Sequence, residues 1–216
     1  LPSGFAMRRQ IELGLAYFRD RFGRAPETAY NVDSFGHAAT LPQEVYDAGQ
    51  RNYVMMRPAA GEMELPARLF RWRSSEDGDE LLTFRIAPAY CTRGLPTLDF
   101  VRASLADLPD GVEHTMCFIG VGDHGGGPTQ AQIDWCREHA EAIDGARMEF
   151  SDPGRFFEAI RADQGRLPVV FGELQHHAVG CYSVTRSVKT HVRRAEHLLQ
   201  RAEESVDTSA CREELD

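Results

Sequence analysis

A chain of 216 residues with 42% hydrophobic content is long enough for one domain with a real core, or for a large piece of a bigger domain. Its formal net charge of -9 and pI near 5.4 argue against nucleic acid or an anionic membrane surface as partners, because both attract basic faces. A neutral substrate fits that charge better, and no apolar stretch approaches the roughly 20 residues that span a bilayer.

The predicted elements alternate along the chain. Ala6, Ile11, Leu15 and Phe18 recur at helical spacing from Ser3 to Phe22, and Gly23 closes that helix. A β-prone run follows at Thr28 to Val32, then a helix from Leu41 to Ala48 stopped by Gly49, then a strand at Asn52 to Met56. Phe70 to Arg73 and Leu82 to Ile86 read as two short strands joined by the hydrophilic link from Ser74 to Asp79, a hairpin inserted in the alternation. After it come a helix at Leu98 to Leu108, a strand at Thr115 to Val121, a helix at Thr129 to Ile143 and a strand at Arg147 to Phe150. A helix at Pro153 to Ala162 and a strand at Val169 to Leu174 close the series. Strand–helix alternation of this kind predicts a mostly parallel sheet, open or closed into an incomplete barrel. From about Ser183 to Val206 the pattern becomes one long charged helix with a narrow apolar stripe of Val188, Val192, Ala195, Leu198 and Leu199. The expected division is therefore an α/β part over residues 1–182 and a first bundle helix over 183–216.

Five cysteines, Cys91, Cys117, Cys136, Cys181 and Cys211, are scattered without a CxxC pair, and an odd number cannot all pair internally. That points to buried thiols in a reducing compartment, a cytoplasmic location, and speaks against a cysteine-ligated zinc.

Three stretches carry chemistry. In Tyr30-Asn31-Val32-Asp33-Ser34-Phe35-Gly36-His37 a carboxylate follows a predicted strand, at the edge where ligands bind in α/β sheets and barrels. Spacing alone favours Asp33 as a helix N-cap and His37 as a surface residue. In Gly120-Val121-Gly122-Asp123-His124-Gly125-Gly126-Gly127-Pro128-Thr129 a second strand runs into a carboxylate and a glycine-rich loop. It lacks the lysine and Ser/Thr of a phosphate loop, and its GxGxxG match begins inside the predicted strand instead of after it. In Gly172 to Ser183 the adjacent His176 and His177 point to opposite sides of an extended segment, so at most one serves a given site. Their ordinary reading is as hydrogen-bonded residues at a domain junction. Two carboxylates at two strand ends are the minimum equipment for glycosidic cleavage, one attacking the anomeric carbon and one acting as acid and then base.

Asn31-Val32-Asp33-Ser34-Phe35-Gly36-His37, with Leu41-Pro42-Gln43 just after it, resembles the Asn-Pro-Asp-Ser-Phe-Gly-His signature of family 38 α-mannosidases. Gly122-Asp123-His124-Gly125-Gly126-Gly127-Pro128-Thr129 is similar to a second block of bacterial-type members, and Gly172-Glu173-Leu174 with Gly180 to Glu203 resembles the end of the catalytic domain and the entry to a helical bundle. The resemblance implies an α/β barrel of seven parallel strands, here incomplete, with the small hairpin inserted and the long C-terminal helix entering the bundle. It implies a retaining mechanism on a mannose-containing glycan, with a zinc ion gripping the sugar hydroxyls. By it Asp33 is nucleophile and zinc ligand, Phe35 flanks the sugar, and Asp123 is the acid/base, although in some relatives the acid lies one position further along, where this chain has His124. Arg57 and Tyr90, each past a predicted strand, line the pocket.

The chain departs from that pattern where Val32 replaces proline, and it contains no His-X-Asp, the motif that supplies two further zinc ligands in the family. The fourth ligand, a bundle histidine, is expected beyond Asp216. The sequence therefore reads as an inactive fragment that lacks the first barrel strand, with an exposed sheet edge that favours pairing between chains. Because the resemblance places the metal elsewhere, His176 and His177 are expected to be structural or to support the site from behind its ligands. The competing readings are a metal-dependent amidohydrolase or deacetylase using Asp33 with His37, His124 or His177 as ligands, and a non-catalytic carbohydrate-binding module.

Overall fold

The structure is a computed structural model that describes residues 2–122, 124–175, 177–182 and 185–205. The chain divides into two compact units, one made of the segments up to Ala25 and from Ala178 on, the other of Pro26–His177.

The first unit carries the two long helices. In α1 (Gly4–Phe22) the Ser3 hydroxyl caps the amino end by accepting from Ala6 N–H at 3.2 Å, and Gly23, at φ 71°, ends the helix with its N–H on the Arg19 carbonyl. The other helix, Arg186–Ser205, has every described residue outside the buried class, and its Glu196 accepts from the Ser3 backbone N–H at 3.1 Å. No helix among the described residues is long and apolar enough to cross a membrane.

The second unit is built on a five-stranded sheet in the order β1-β2-β4-β3-β5. Its strands are β1 (Thr28–Asn31), β2 (Asn52–Met55), β3 (Leu69–Arg73), β4 (Glu80–Arg85) and β5 (Val169–Phe171). β1, β2 and β4 run parallel, whereas β3 is antiparallel to β4 and parallel to β5. The sheet is thus mixed, and the mostly parallel arrangement expected from the alternation holds only for β1, β2 and β4. The reason is the short link between β3 and β4: with no room for a crossover helix the chain must reverse. The link is closed by Gly78 N–H on the Ser75 carbonyl, and Glu80 on β4 holds Arg73 on β3 at 2.6 Å.

Two expected strands are also absent. Thr115 to Val121 and Arg147 to Phe150 form no ladder, and Val121 makes only an isolated bridge with Gly127. β propensity describes a chain that fits a pleated surface, but a strand also needs a neighbour to accept its hydrogen bonds. The helices are α2 (Leu41–Asp47), α3 (Leu98–Ser104), α4 (Gln130–Glu138) and α5 (Pro153–Ala159), and the last helix in the chain is α6 (Arg186–Ser205).

Both faces of the sheet are covered, which is why β2 is buried at every position. On one face Val54, Leu69, Leu82 and Phe84 pack with Phe156, Phe157 and Ile160 from α5 and its end. Alternation turns Tyr53 and Trp72 to the other face, where their rings meet that of His37 at 5.5 and 6.0 Å. α2, four residues beyond His37, lies against β3 and β4.

Candidate active site at the carboxyl ends of the parallel strands

Register brings the first candidates together. β1 and β2 are parallel with Asn31 opposite Met55, so the residues two further on, Asp33 and Arg57, emerge side by side at the carboxyl edge. Arg57 Nε donates to Asp33 Oδ1 at 2.7 Å, with the carboxylate half-exposed and the guanidinium more buried. Asp33 is not the N-cap that spacing favoured, since Thr40 holds that position on α2. Phe35 lies beside the pair, its ring 5.7 Å from the Arg57 guanidinium carbon.

The backbone around Asp33 is held by a buried network. Ser34 Oγ donates to Asn31 Oδ1, and Asn31 Nδ2 donates to the Tyr53 hydroxyl at 3.0 Å. The Tyr53 hydroxyl donates in turn to His37 Nδ1 at 2.8 Å, and His37 Nε2 donates to the Arg57 carbonyl at 2.7 Å. That carbonyl requires Nε2–H, which fixes Nδ1 as the acceptor. Burial pushes the His37 imidazole below its ordinary value, partly opposed by the Arg57 carbonyl, and it pushes the Tyr53 phenol up. His37, 1% exposed, is therefore a neutral core residue with both nitrogens engaged. It is neither the surface residue expected from spacing nor a side chain with a nitrogen to spare for a metal.

A second pair adjoins the first. Glu62, in the loop after β2, accepts from Ala59 N–H at 2.8 Å and from His177 Nδ1. The Ala59 amide first, then His177, holds its carboxyl below the usual range, and the nearby Arg57 charge adds to this. The His177 ring stands edge-on to Phe35 with centroids 4.9 Å apart. Its backbone segment is pinned where His37 and Leu174 exchange hydrogen bonds of 2.8 and 3.0 Å, and where Trp72 Nε1 donates to the Gly172 carbonyl at 2.9 Å. Gly36, at φ 131°, is required there, because a Cβ would meet Gln175 Cδ at 2.8 Å. Sequence reasoning missed Glu62 altogether. The usable signal was its place in a loop that leaves the carboxyl end of a parallel strand.

Tyr90 follows β4 and packs, half-buried, on the core cluster that Val32 and Met56 also join, each one residue before Asp33 and Arg57. The glycine-rich loop is anchored beside it. Thr92 N–H donates to the Gly120 carbonyl at 2.8 Å, buried Gln132 donates to Thr92 Oγ1 at 2.8 Å, and a Cβ on Gly122 would lie 3.6 Å from Cys91 Cβ. Gln132 also forms a capping box with Thr129 at the start of α4, so the loop is fixed at both ends. His124 is exposed on this loop. Asp123 and His176 lie outside the described residues. Among the described residues no group of three or more His, Cys, Asp or Glu side chains comes together to hold a metal, and Asp33 is committed to Arg57. The donors described here therefore do not by themselves fit a zinc ion.

Fold and site together define an α/β domain with a group of polar side chains beside an aromatic ring at the carboxyl edge of its parallel strands. The family model for the N-terminal domain of glycosyl hydrolases family 38 matches residues 1–173, and the chain belongs to that family. It is 29% identical over 208 residues to alpha-mannosidase 2C1 of Homo sapiens, covering 94% of this chain and 20% of that protein. It is 27% identical over 175 residues to alpha-mannosidase G of Dictyostelium discoideum, covering 81% of this chain and 16% of the relative. Among solved structures, a crystal structure of an alpha-mannosidase from Enterococcus faecalis V583 shares the fold with a TM-score of 0.62 at 19% identity, over 80% of this chain and 20% of that one. The chain thus spans 20% or less of the length of these relatives.

Proposed function

We propose that the protein to which this chain belongs hydrolyses terminal α-mannosidic bonds of a glycan with retention of configuration. The observation that carries the reading is the Asp33–Arg57 pair, 2.7 Å apart at the carboxyl ends of adjacent parallel strands and flanked by Phe35. A guanidinium N–H on one carboxylate oxygen fixes the plane of the group and leaves the other oxygen to attack the anomeric carbon. Asp123 is assigned the acid/base role: it protonates the leaving glycosidic oxygen, then takes a proton from the water that releases the sugar from Asp33. Tyr90 and His124 are assigned to the pocket wall.

Zinc is proposed for the intact enzyme with Asp33 as one ligand and the others outside this chain, within a seven-stranded barrel completed by the rest of the protein. On that reading residues 1–182 are barrel and 183–216 enter a helical bundle, the enzyme works in the cytoplasm, and the open edge of β1 is where the isolated chain pairs with another copy. Alone it binds zinc weakly and hydrolyses no mannoside, because one carboxylate does not hold a catalytic metal against water.

The test is Asp33→Ala in the intact protein. Hydrolysis of an aryl α-mannoside should disappear, while the thermal midpoint stays close to wild type because the Asp33–Arg57 pair is half-exposed and such pairs contribute about 1 kcal/mol or less. Turnover surviving the substitution refutes the assignment.

A further inference from the structure

Two arginines are buried in the sheet unit, and they stand together. Arg68, just before β3, is 3% exposed, and Arg85, the last residue of β4, is 6% exposed. Their backbones are joined by Arg85 N–H on the Arg68 carbonyl at 2.7 Å. Arg68 Nη1 and Nη2 donate to the Ser104 and Ala103 carbonyls, in the last turn of α3, at 2.7 and 3.1 Å. Arg85 Nη1 donates to the Met63 carbonyl, in the loop after β2, at 2.7 Å. All of these acceptors are neutral. Among the described residues neither guanidinium is in an ion pair, and the buried Arg68 Nε has no hydrogen-bond partner. Burial holds both groups below their ordinary range, and the Arg68 charge lowers Arg85 further. The exposed Asp107 carboxylate opposes this at both without pairing with either. Buried charges are normally matched by charge of the opposite sign, because neutral carbonyls do not replace the hydration of two like ions.

We propose that Arg68 Nε and the Arg85 guanidinium bind a small monovalent anion of the halide class, with chloride as the ordinary occupant. Burial this complete suits a monatomic ion better than a phosphate, whose second charge would call for further donors. The ion offsets two like charges at the point where the last turn of α3 and the loop carrying Glu62 are tied to the sheet. It stands apart from the Asp33–Arg57 pair and does not depend on the reaction assigned there. The competing arrangement is a pair of carbonyl clamps with only water on Nε, and the experiment separates the two.

The intact protein is dialysed into sodium gluconate and titrated with sodium chloride at constant ionic strength, with binding read from broadening of the chloride-35 NMR line. Wild type should broaden the line saturably, and bromide should reverse the effect by competition. Arg85→Met and Arg68→Met each remove one charged donor at nearly the same side-chain length, and each should weaken chloride at least about 10-fold. The thermal midpoint should also be higher in chloride than in gluconate for wild type, and this difference should shrink in both variants. Absence of saturable broadening in wild type overturns the proposal. So does broadening that both variants retain at full strength, because the halide then sits elsewhere. If neither variant folds, wild-type crystals soaked in sodium bromide decide the matter alone. An anomalous peak within hydrogen-bonding reach of Arg68 Nε supports the site, and water only at that position overturns it.

Discussion

Replacing Tyr53 by phenylalanine removes one oxygen atom from the middle of the network behind Asp33. The ring itself should stay, because Tyr53 is 1% exposed and packed edge-on against Trp72 at 5.4 Å and His37 at 5.5 Å. What changes is the partner of His37 Nδ1, which loses the donor it has among the described residues, in a buried place. A buried acceptor left unpaired costs about 1–3 kcal/mol, and Asn31 Nδ2, which is half-buried, loses a partner that solvent replaces in part. For a chain of this length each kcal/mol moves the midpoint by about 2–4 °C, so Tyr53→Phe should melt about 2–12 °C lower by circular dichroism. The network also sets the sign of the pH dependence. His37 is depressed below its ordinary value of 6.5, so the unfolded chain binds the proton more readily than the folded one. The stability it contributes is complete above that value and is lost as the pH falls below it toward the folded-state pKa. A Tyr53→Phe midpoint within about 1 °C of wild type at neutral pH would show that the hydroxyl is not buried between His37 and Asn31, and would remove the argument for a fixed Arg57 carbonyl.

Gly36→Ala should destabilise by about 1–3 kcal/mol in a urea titration, because a φ of 131° disfavours any Cβ and the added carbon runs into Gln175. Cys117, whose thiol is pushed up to about 11 chiefly by burial, should alkylate with iodoacetamide at pH 8 far more slowly than exposed Cys181, as read by mass spectrometry of the peptides; comparable rates would contradict the packing of the 112–118 segment.

The elements legible in the sequence are those whose evidence is local. α1 announces both ends, Ser3 by its hydroxyl and Gly23 by its left-handed backbone. The reversal between β3 and β4 follows from the hydrophilic link, and the positions of Asp33 and Arg57 follow from where β1 and β2 stop. What was not legible depends on partners far along the chain. The run from Thr115 to Val121 has the composition of a strand and no ladder to join. His37 reads from the sequence as a surface residue, and only the packing of Tyr53 and Trp72 from two other strands makes it buried and neutral. Glu62 and His177 are 115 residues apart, a pairing that no periodicity reports.

That long-range pairing follows from the sheet order. The antiparallel β3 sits between β4 and β5, so β5 comes to the edge opposite β1. The segment that follows β5 nevertheless returns toward the loop after β1, with Gly172 on Trp72, Leu174 on His37 and His177 on Phe35 and Glu62. Each of these contacts constrains the next, because Leu174 is wholly buried and Gln175 lies where a side chain at position 36 would stand. The neutral His37 is central to this arrangement: its backbone holds the returning segment, and its ring holds the Arg57 carbonyl. Protonation would leave both of those bonds in place, but a proton on Nδ1 would set a donor against the Tyr53 hydroxyl and require the Tyr53–Asn31 contacts to rearrange. The placement of the Asp33–Arg57 pair and that of the Glu62–His177 pair thus depend on one buried residue that touches neither carboxylate.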